Sequence, residues 1–278
     1  MIETVPEQEV AQYRRDGICV FRGKLSVAEL DALNGEMADL FAIQVRALGL
    51  PVAEGRDRTA LRTNALALLQ ADVPRFIAAM RVTQDLPSVH RVLVSAPLLE
   101  LARALGIAFP VISTKASVHI MDDDLRVPNG YHKSPAHQDW RSIQGSLDNL
   151  VLWIPTTPVR GGRNGLEVVR GSHLFGLLDT VEHAMTPSVS DPRITEDRYE
   201  SIDAEPGDVI AFSSFLVHRT ADRGDGAVRI ALSTRFNNAL EPSYVDRGYP
   251  SPYKYSYRLD LMTPDFPPVE RIRETFGE

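Results

Sequence analysis

Three side chains that could hold a metal ion lie at two places in the sequence. His137 and Asp139 flank Gln138, and the tripeptide precedes an apolar run at 150–154, which places it on or at the end of a predicted strand. Because successive strand side chains point to opposite faces, His137 and Asp139 would share one face and Gln138 would point away. His218 lies between two further predicted strands and is the best candidate for a third ligand. Two imidazoles and one carboxylate form the facial triad of non-haem Fe(II) oxygenases, which leaves metal positions open.

A histidine and an aspartate at this spacing also occur by chance, and a buried histidine bonded to an aspartate is usually structural. Arg229 favours the metal site over that alternative. It follows His218 by eleven positions, on a strand that a predicted turn at 222–226 would bring back beside it. From there its guanidinium can reach the same cavity and hold a dicarboxylate through a bidentate, charge-assisted pair. Thr220 shares the strand face of His218 and can donate to a carboxylate.

The order of these residues along the chain resembles one known family. The motifs are His137-Gln138-Asp139, Asn164-Gly165 with Gly171-Ser172-His173, Pro206-Gly207-Asp208, His218 and Arg229. Together they are similar to the phytanoyl-CoA dioxygenase family, over about residues 9–240. The family usually has a proline before Gly-Ser-His in the second motif, and Arg170 stands there in this chain. That departure loosens a turn and does not touch the metal.

The resemblance implies an enzyme that depends on Fe(II), 2-oxoglutarate and O2. Iron would be bound by His137, Asp139 and His218, and Arg229 with Thr220 would hold the far carboxylate of 2-oxoglutarate. The enzyme would hydroxylate or otherwise oxidise a small molecule and release succinate and CO2. Two alternatives stay open: a cupin-like metal enzyme, such as an isomerase, that works without oxoglutarate, and a jelly-roll binding protein without turnover.

Three further residues are candidates for the cosubstrate site. The pattern of residues 110–121 predicts one strand, on which Lys115 and His119 share a face with other polar side chains. A polar face on a central strand indicates a wet cavity, although a solvent-facing sheet edge would show the same pattern. By resemblance to the family, Lys115 and His119 would lie near oxoglutarate. Trp153 resembles a family tryptophan that lies against the cosubstrate, and the alternative is an ordinary core aromatic.

The elements that must position these residues form two successive parts. Up to residue 108 the pattern is mostly helical, with Ser26 at the start of a capping box and apolar residues at helical spacing after it. Between residues 109 and 240, short strands alternate with turn signals, which predicts a double-stranded β-helix, the jelly-roll or cupin-like core. We therefore predict a mainly β fold with α. A single domain over 1–278 would comprise helical bracing at 1–108, the core at 109–240 and a C-terminal tail at 241–278.

Composition argues against several classes of function. The net charge of −7 disfavours a nonspecific nucleic-acid binder. No apolar run approaches membrane-spanning length, and the N-terminus shows no secretion signal. The single cysteine, Cys19, allows no internal disulfide framework and suits a reducing compartment. We expect a cytoplasmic protein whose partner is a small-molecule substrate, and neither nucleic acid nor membrane. The oligomeric state is left open, with a homodimer as one option.

Overall fold

The first long helix begins at the capping box that the sequence predicts. A computed structural model of the chain describes residues 5–127, 133–161, 164–183, 186–221, 228–252 and 265–277. In it the backbone N–H of Glu29 donates to Ser26 Oγ at 3.3 Å, and helix α2 (Val27–Ala47) follows. The other described α-helices are α1 (Glu7–Asp16), α3 (Arg58–Ala71), α4 (Val73–Val82), α5 (Pro87–Leu93), α6 (Ala96–Ala104), α7 (Trp140–Ile143), α8 (Pro242–Asp246) and α9 (Val269–Phe276). Most of the helical residues therefore precede residue 108, as predicted.

Two antiparallel sheets form the rest of the core. The larger sheet has the order β1 (Ile18–Phe21), β9 (Val209–Ser213), β4 (Leu150–Pro155), β11 (Arg229–Asn238) and β2 (Pro110–Ile112), and β3 (Ser117–Met121) also pairs with β11. The smaller sheet has the order β10 (His218–Thr220), β5 (Leu166–Val168) and β8 (Glu200–Ile202). A separate two-stranded ribbon joins β6 (Thr180–Val181) to β7 (Ser188–Val189).

Strand β4 contributes side chains to the hydrophobic clusters on both faces of the larger sheet. Leu150, Leu152 and Ile154 join a hydrophobic cluster that includes buried side chains of α2, such as Leu33. Val151 and Trp153 point the other way and join a second cluster. Because strand side chains alternate, a wholly buried strand must supply apolar groups to both of its faces. The helices therefore cover one face of the larger sheet and leave the other face for the smaller sheet.

The second hydrophobic cluster lies between the two sheets. It joins Ile18 and Phe212 of the larger sheet to Leu166 and Ile202 of the smaller one. Two antiparallel sheets packed around a common interior form the jelly-roll architecture, and the predicted fold class is confirmed. Full burial of an aliphatic or phenyl side chain contributes about 1.5–3 kcal/mol, so this interior is a major source of stability.

The strand predicted over 110–121 is interrupted in the structure. β2 ends at Ile112 and β3 begins at Ser117, and both strands pair with β11. Ser113 still donates to the carbonyl of Arg235, but the residues after it leave the ladder, because Phe236 faces Ile112 and Ser233 faces Ser117. Four residues thus oppose two on β11, which the regular ladder cannot hold.

No helix in the described part of the chain is long and apolar enough to cross a membrane.

Candidate active site

The two histidines are brought together by backbone pairing. His137 lies outside the named strands and forms an isolated antiparallel bridge with His218 at the start of β10. The N–H of His137 donates to the carbonyl of His218 at 2.9 Å, and the reverse bond measures 3.1 Å. The ring centroids are then 4.2 Å apart. This register holds both imidazoles over one point although eighty residues separate them in the chain.

Asp139 lies close to both histidines, but its backbone conformation differs from the predicted one. Its φ of −63° and ψ of −30° are helical, and it immediately precedes α7. The turn forms here because Trp140, which follows, is 1% exposed and stacks on Phe215. Asp139 Oδ1 lies 3.3 Å from His137 Nε2 and 3.9 Å from His218 Nε2. Strand alternation is therefore the wrong explanation for a juxtaposition that the structure does contain.

The side chain of Gln138 points away from the two histidines and Asp139, as predicted, and its hydrogen bonds fix the backbone of this segment. Its Nε2 donates to the carbonyls of Gly176 and Phe215, and its Oε1 accepts from the N–H of Leu178. A buried amide with three such bonds fixes the backbone on both of its sides. The residue between the two candidate ligands therefore stabilises their spacing.

The hydrogen bonds of the two imidazoles determine their tautomers. His137 Nδ1 lies 2.8 Å from the carbonyl oxygen of Pro135, and His218 Nδ1 lies 2.9 Å from that of Leu216. A carbonyl oxygen only accepts, so each Nδ1 must carry a hydrogen. In a neutral imidazole, Nε2 then presents its lone pair, which is the form that ligates metals.

The charge states of the site also fit a cation. Burial, and then the imidazole of His137, lower the pKa of His218 to about 3, so this ring is neutral near pH 7. Burial has the largest single effect on Asp139 and would raise its pKa, but the guanidinium of Arg235 and the imidazoles of His137 and His218 together hold that pKa well below its usual range. Two lone-pair nitrogens thus face one carboxylate, and all three donor atoms lie within 4.8 Å of one another. Two nitrogens and one carboxylate oxygen suit Fe(II) with open positions for other ligands.

Arg229 lies at the start of β11 on the face that also carries Ser233 and Arg235, as the alternation predicts. Its Nε donates to the carbonyl of Asn164 at 2.7 Å, and its guanidinium carbon lies 5.3 Å from the ring centroid of Trp153. Arg229 is 6% exposed. A guanidinium fixed by a carbonyl and an aromatic face is held in one orientation before any ligand arrives.

One cavity contains most of the predicted site residues. Thr220, Trp153, His119 and Arg229 line it together with both histidines. The full lining is His119, Met121, Ser134, His137, Val151, Trp153, Gly165, Leu166, Phe212, His218, Arg219, Thr220, Arg229, Ser233 and Arg235. The lining combines aromatic and aliphatic groups with cationic ones, and no acidic side chain is among the described residues that line it. The cavity is therefore suited to an anionic ligand that also has an apolar part.

Among the predicted site residues, Lys115 lies away from both the cavity and the His137–Asp139–His218 cluster. It lies in the break between β2 and β3, is exposed and is not among the residues that line the cavity. The predicted common face of Lys115 and His119 fails because the chain leaves the ladder between them. The predicted turn at 222–226 lies outside the described residues.

His119 is half-buried and neutral. Burial, and then the charges of Arg229 and Arg235, lower its pKa to about 3. Its Nε2 lies 3.1 Å from Ser233 Oγ, which also accepts from Arg235 at 3.3 Å. Since arginine only donates, the Ser233 hydroxyl can direct its own hydrogen to His119 Nε2.

Two contacts in this site were not predicted from the sequence. Arg235 donates to Asp139, and the carbonyl of Asn164 accepts from Arg229. Strand alternation does place Arg235 on the face of Arg229, but it does not indicate the contact with Asp139. The role of Asn164 rests on its backbone, whose φ is +48°, and side-chain chemistry gives no signal for that.

Comparisons with known proteins concern the sequence and the fold of the chain. The family model described as phytanoyl-CoA dioxygenase matches residues 13–231. A 1-deoxypentalenic acid 11-beta-hydroxylase from Streptomyces exfoliatus is 28% identical over 127 residues, which are 42% of this chain. The match spans 44% of that hydroxylase, less than half of its length.

Two solved structures show the same fold at low identity. The non-heme alpha-ketoglutarate-dependent carbocyclase SnoK from nogalamycin biosynthesis superposes with a TM-score of 0.57 and 16% identity, covering 89% of this chain and 92% of its own. EctD from S. alaskensis with 2-oxoglutarate and 5-hydroxyectoine gives a TM-score of 0.54 and 16% identity, covering 87% and 79%. At such identities the likeness concerns the fold alone.

Proposed function

The chain belongs to the phytanoyl-CoA dioxygenase family, and on that premise we propose that it is an Fe(II)- and 2-oxoglutarate-dependent dioxygenase that hydroxylates a small molecule. One observation carries the proposal. Two imidazole Nε2 atoms and one carboxylate oxygen converge within 4.8 Å, and the guanidinium of Arg229 lines the same cavity. A metal triad needs the first feature, and a dicarboxylate cosubstrate needs the second.

In the proposed enzyme, Fe(II) is held by Nε2 of His137, Oδ1 of Asp139 and Nε2 of His218. The backbone carbonyls of Pro135 and Leu216 keep each imidazole in the required tautomer. Both rings are thereby prevented from rotating away from the metal. Such outer partners of a ligating histidine commonly raise its basicity and fix its orientation.

Arg229 and Thr220 are proposed to hold the far carboxylate of 2-oxoglutarate. Thr220 Oγ1 accepts from the N–H of Ser134 at 3.2 Å, so its own hydrogen can be directed at a carboxylate. Trp153 restricts the guanidinium of Arg229 from one side. His119 is neutral and adds no charge, so the arginine dominates recognition at this end of the cavity.

The bound iron with 2-oxoglutarate and O2 supplies a two-electron oxidation of a C–H bond: one oxygen atom enters succinate as CO2 is lost, and the other becomes the hydroxyl of the product. The chain's part is to orient both substrates and to limit water. Asp139 and His218 are 5% and 6% exposed, so the reaction would occur in a largely desolvated site. Apolar side chains such as Leu166 and Phe212 line the cavity and favour an apolar portion of the substrate.

We also propose that residues 1–278 act as one domain. The main hydrophobic cluster runs from Tyr13 of α1 through α2 and the larger sheet to Phe276 of α9. A shared core of this kind is expected of a single folding unit.

The test is anaerobic titration of the metal-free protein with Fe(II), followed by 2-oxoglutarate. We expect one Fe(II) per chain and oxoglutarate binding that requires the metal. The variant His218→Ala should lose most of the iron, whereas the exposed His90→Ala serves as a matched control and should keep it. Iron that binds without any effect on oxoglutarate affinity would favour a cupin-like enzyme, and a chain that binds neither would favour a binding protein.

A further inference from the structure

The two oxygens of Asp139 face different partners. Oδ1 faces the Nε2 atoms of His137 and His218 at 3.3 and 3.9 Å, while Oδ2 accepts from Nε of Arg235 at 2.7 Å. The Asp139 side chain is 7% exposed and that of Arg235 is 16% exposed, so solvent screens this pair only weakly. One oxygen is thus directed at the metal position and the other is held by the protein.

Arg235 is itself fixed by its surroundings. It lies within β11, where it pairs with Val151 of β4, and its backbone carbonyl accepts from the N–H of Ser113. Its NH1 donates to Ser233 Oγ at 3.3 Å, and that hydroxyl is in turn 3.1 Å from His119 Nε2. The arginine that contacts the carboxylate is therefore part of a hydrogen-bonded series on one sheet face.

The two arginines of this face have separate partners. Six residues at about 3.3 Å per residue place the Cα atoms of Arg229 and Arg235 roughly 20 Å apart. Arg229 contacts the carbonyl of Asn164 and the ring of Trp153, and Arg235 contacts Asp139. Since both line the same cavity, either could be considered a carboxylate anchor, but Arg235 already binds the carboxylate of Asp139.

We propose that Arg235 is a positioning residue that makes Asp139 a one-oxygen metal ligand. By occupying Oδ2, its guanidinium prevents the carboxylate from chelating the metal with both oxygens and from rotating away from the two imidazoles. A second bound oxygen would take a coordination position that the cosubstrate or O2 requires. The inference rests on the proposed function, because it assumes that His137, Asp139 and His218 hold the metal.

The expected effect follows from the type of contact. Loss of an outer partner of a metal ligand typically weakens metal binding by about 10–100-fold. Arg235→Met keeps much of the side-chain length and removes the donors. Arg235→Lys keeps the charge but replaces the planar fork with a single ammonium, so it should recover only part of the affinity. Ser233→Ala leaves the arginine in place without one of its partners and should give a smaller loss in the same direction.

The experiment is calorimetric titration of the metal-free protein with Mn(II), and then of the Mn(II)-saturated protein with 2-oxoglutarate. Arg235→Met should weaken Mn(II) binding by about 10–100-fold. The matched variant Arg229→Met should bind Mn(II) like the wild type and lose affinity for oxoglutarate. Crystal structures of the Mn(II)-loaded proteins should show Asp139 bound through one oxygen in the wild type, and through two oxygens or turned away in Arg235→Met.

Mn(II) affinity of Arg235→Met equal to the wild-type value, with Asp139 still bound through one oxygen, would overturn the assignment. So would a variant that keeps Mn(II) and loses only oxoglutarate, because Arg235 would then be the cosubstrate anchor. Circular dichroism and thermal melting identify a variant that fails to fold, and Ser233→Ala and Arg235→Lys then carry the test. A wild-type protein that binds no Mn(II) would instead contradict the proposed function itself.

Discussion

Replacing Arg229 by Met should weaken 2-oxoglutarate binding without changing metal affinity. Arg229 is 6% exposed, so the pairing of its guanidinium with a carboxylate would be poorly screened by water. A charge-assisted bidentate pair contributes about 1.5–3 kcal/mol. Because each 1.4 kcal/mol corresponds to about tenfold in affinity, the dissociation constant should rise by roughly 10- to 100-fold.

The same substitution has a structural cost that must be separated from the binding effect. It removes the donor to the carbonyl of Asn164, and an unsatisfied buried acceptor costs about 1–3 kcal/mol. Thermal melting should therefore show a modest destabilisation of Arg229→Met, and affinity must be measured well below its melting temperature. Arg229→Lys is the matched variant, since it keeps the positive charge and loses the planar fork. It should bind oxoglutarate with an affinity between those of the wild type and Arg229→Met.

The assay is anaerobic calorimetry of Mn(II)-loaded protein with oxoglutarate, with Mn(II) titration run in parallel. An oxoglutarate constant equal to the wild-type value would refute the assignment of Arg229 as the carboxylate anchor. A parallel loss of Mn(II) affinity would also count against it, because the assignment places Arg229 on the cosubstrate, with its Nε on the carbonyl of Asn164, and not on a candidate metal ligand.

Three further predictions concern other parts of the site and the fold. Asn164 has a φ of +48°, and its carbonyl fixes Arg229. Asn164→Gly should therefore keep oxoglutarate affinity. Asn164→Val should lower that affinity, because a β-branched residue is strained at this φ and would displace the carbonyl. Burial lowers the pKa of His173 to about 4, so the unfolded chain binds more protons than the folded chain between about pH 6.5 and 4. The free energy of unfolding should therefore decrease as the pH is lowered through that range, by about 2 kcal/mol at pH 5. Urea unfolding at pH 7 and 5 should show this fall reduced in His173→Gln and retained in the exposed control His90→Gln. In the proposed iron site, Asp139 would fill the position that a halide needs, so mass spectrometry of the wild-type product in chloride buffer should show hydroxylation, and a chlorinated product would mean that Asp139 is not a ligand.

The sequence was sufficient to indicate the candidate ligands and one face of β11. Residue types and order indicated His137, Asp139 and His218, and alternation placed Arg229 and Arg235 on a common face. These properties depend on local spacing and on a strand whose length and pattern are unambiguous. They could be predicted without knowledge of the neighbouring strands.

The remainder depends on contacts between distant residues. The helical turn at Asp139 exists because Trp140 is buried against Phe215, and its N–H donates to the carbonyl of Ser214. The ion pair between Arg235 and Asp139 depends on how β11 lies against the bridge at His137. Lys115 left the predicted strand because β2 and β3 pair with β11 in registers that skip it. Each of these features depends on contacts between residues that are distant in the sequence, and a local sequence pattern does not predict such contacts.

The most direct measurement of the central claim is a crystal structure of the protein prepared anaerobically with Fe(II) and 2-oxoglutarate. We predict iron bound by Nε2 of His137, Nε2 of His218 and one oxygen of Asp139, with the far carboxylate of oxoglutarate on Arg229. Iron at any other position, or oxoglutarate bound away from both the iron and Arg229, would contradict the proposed function.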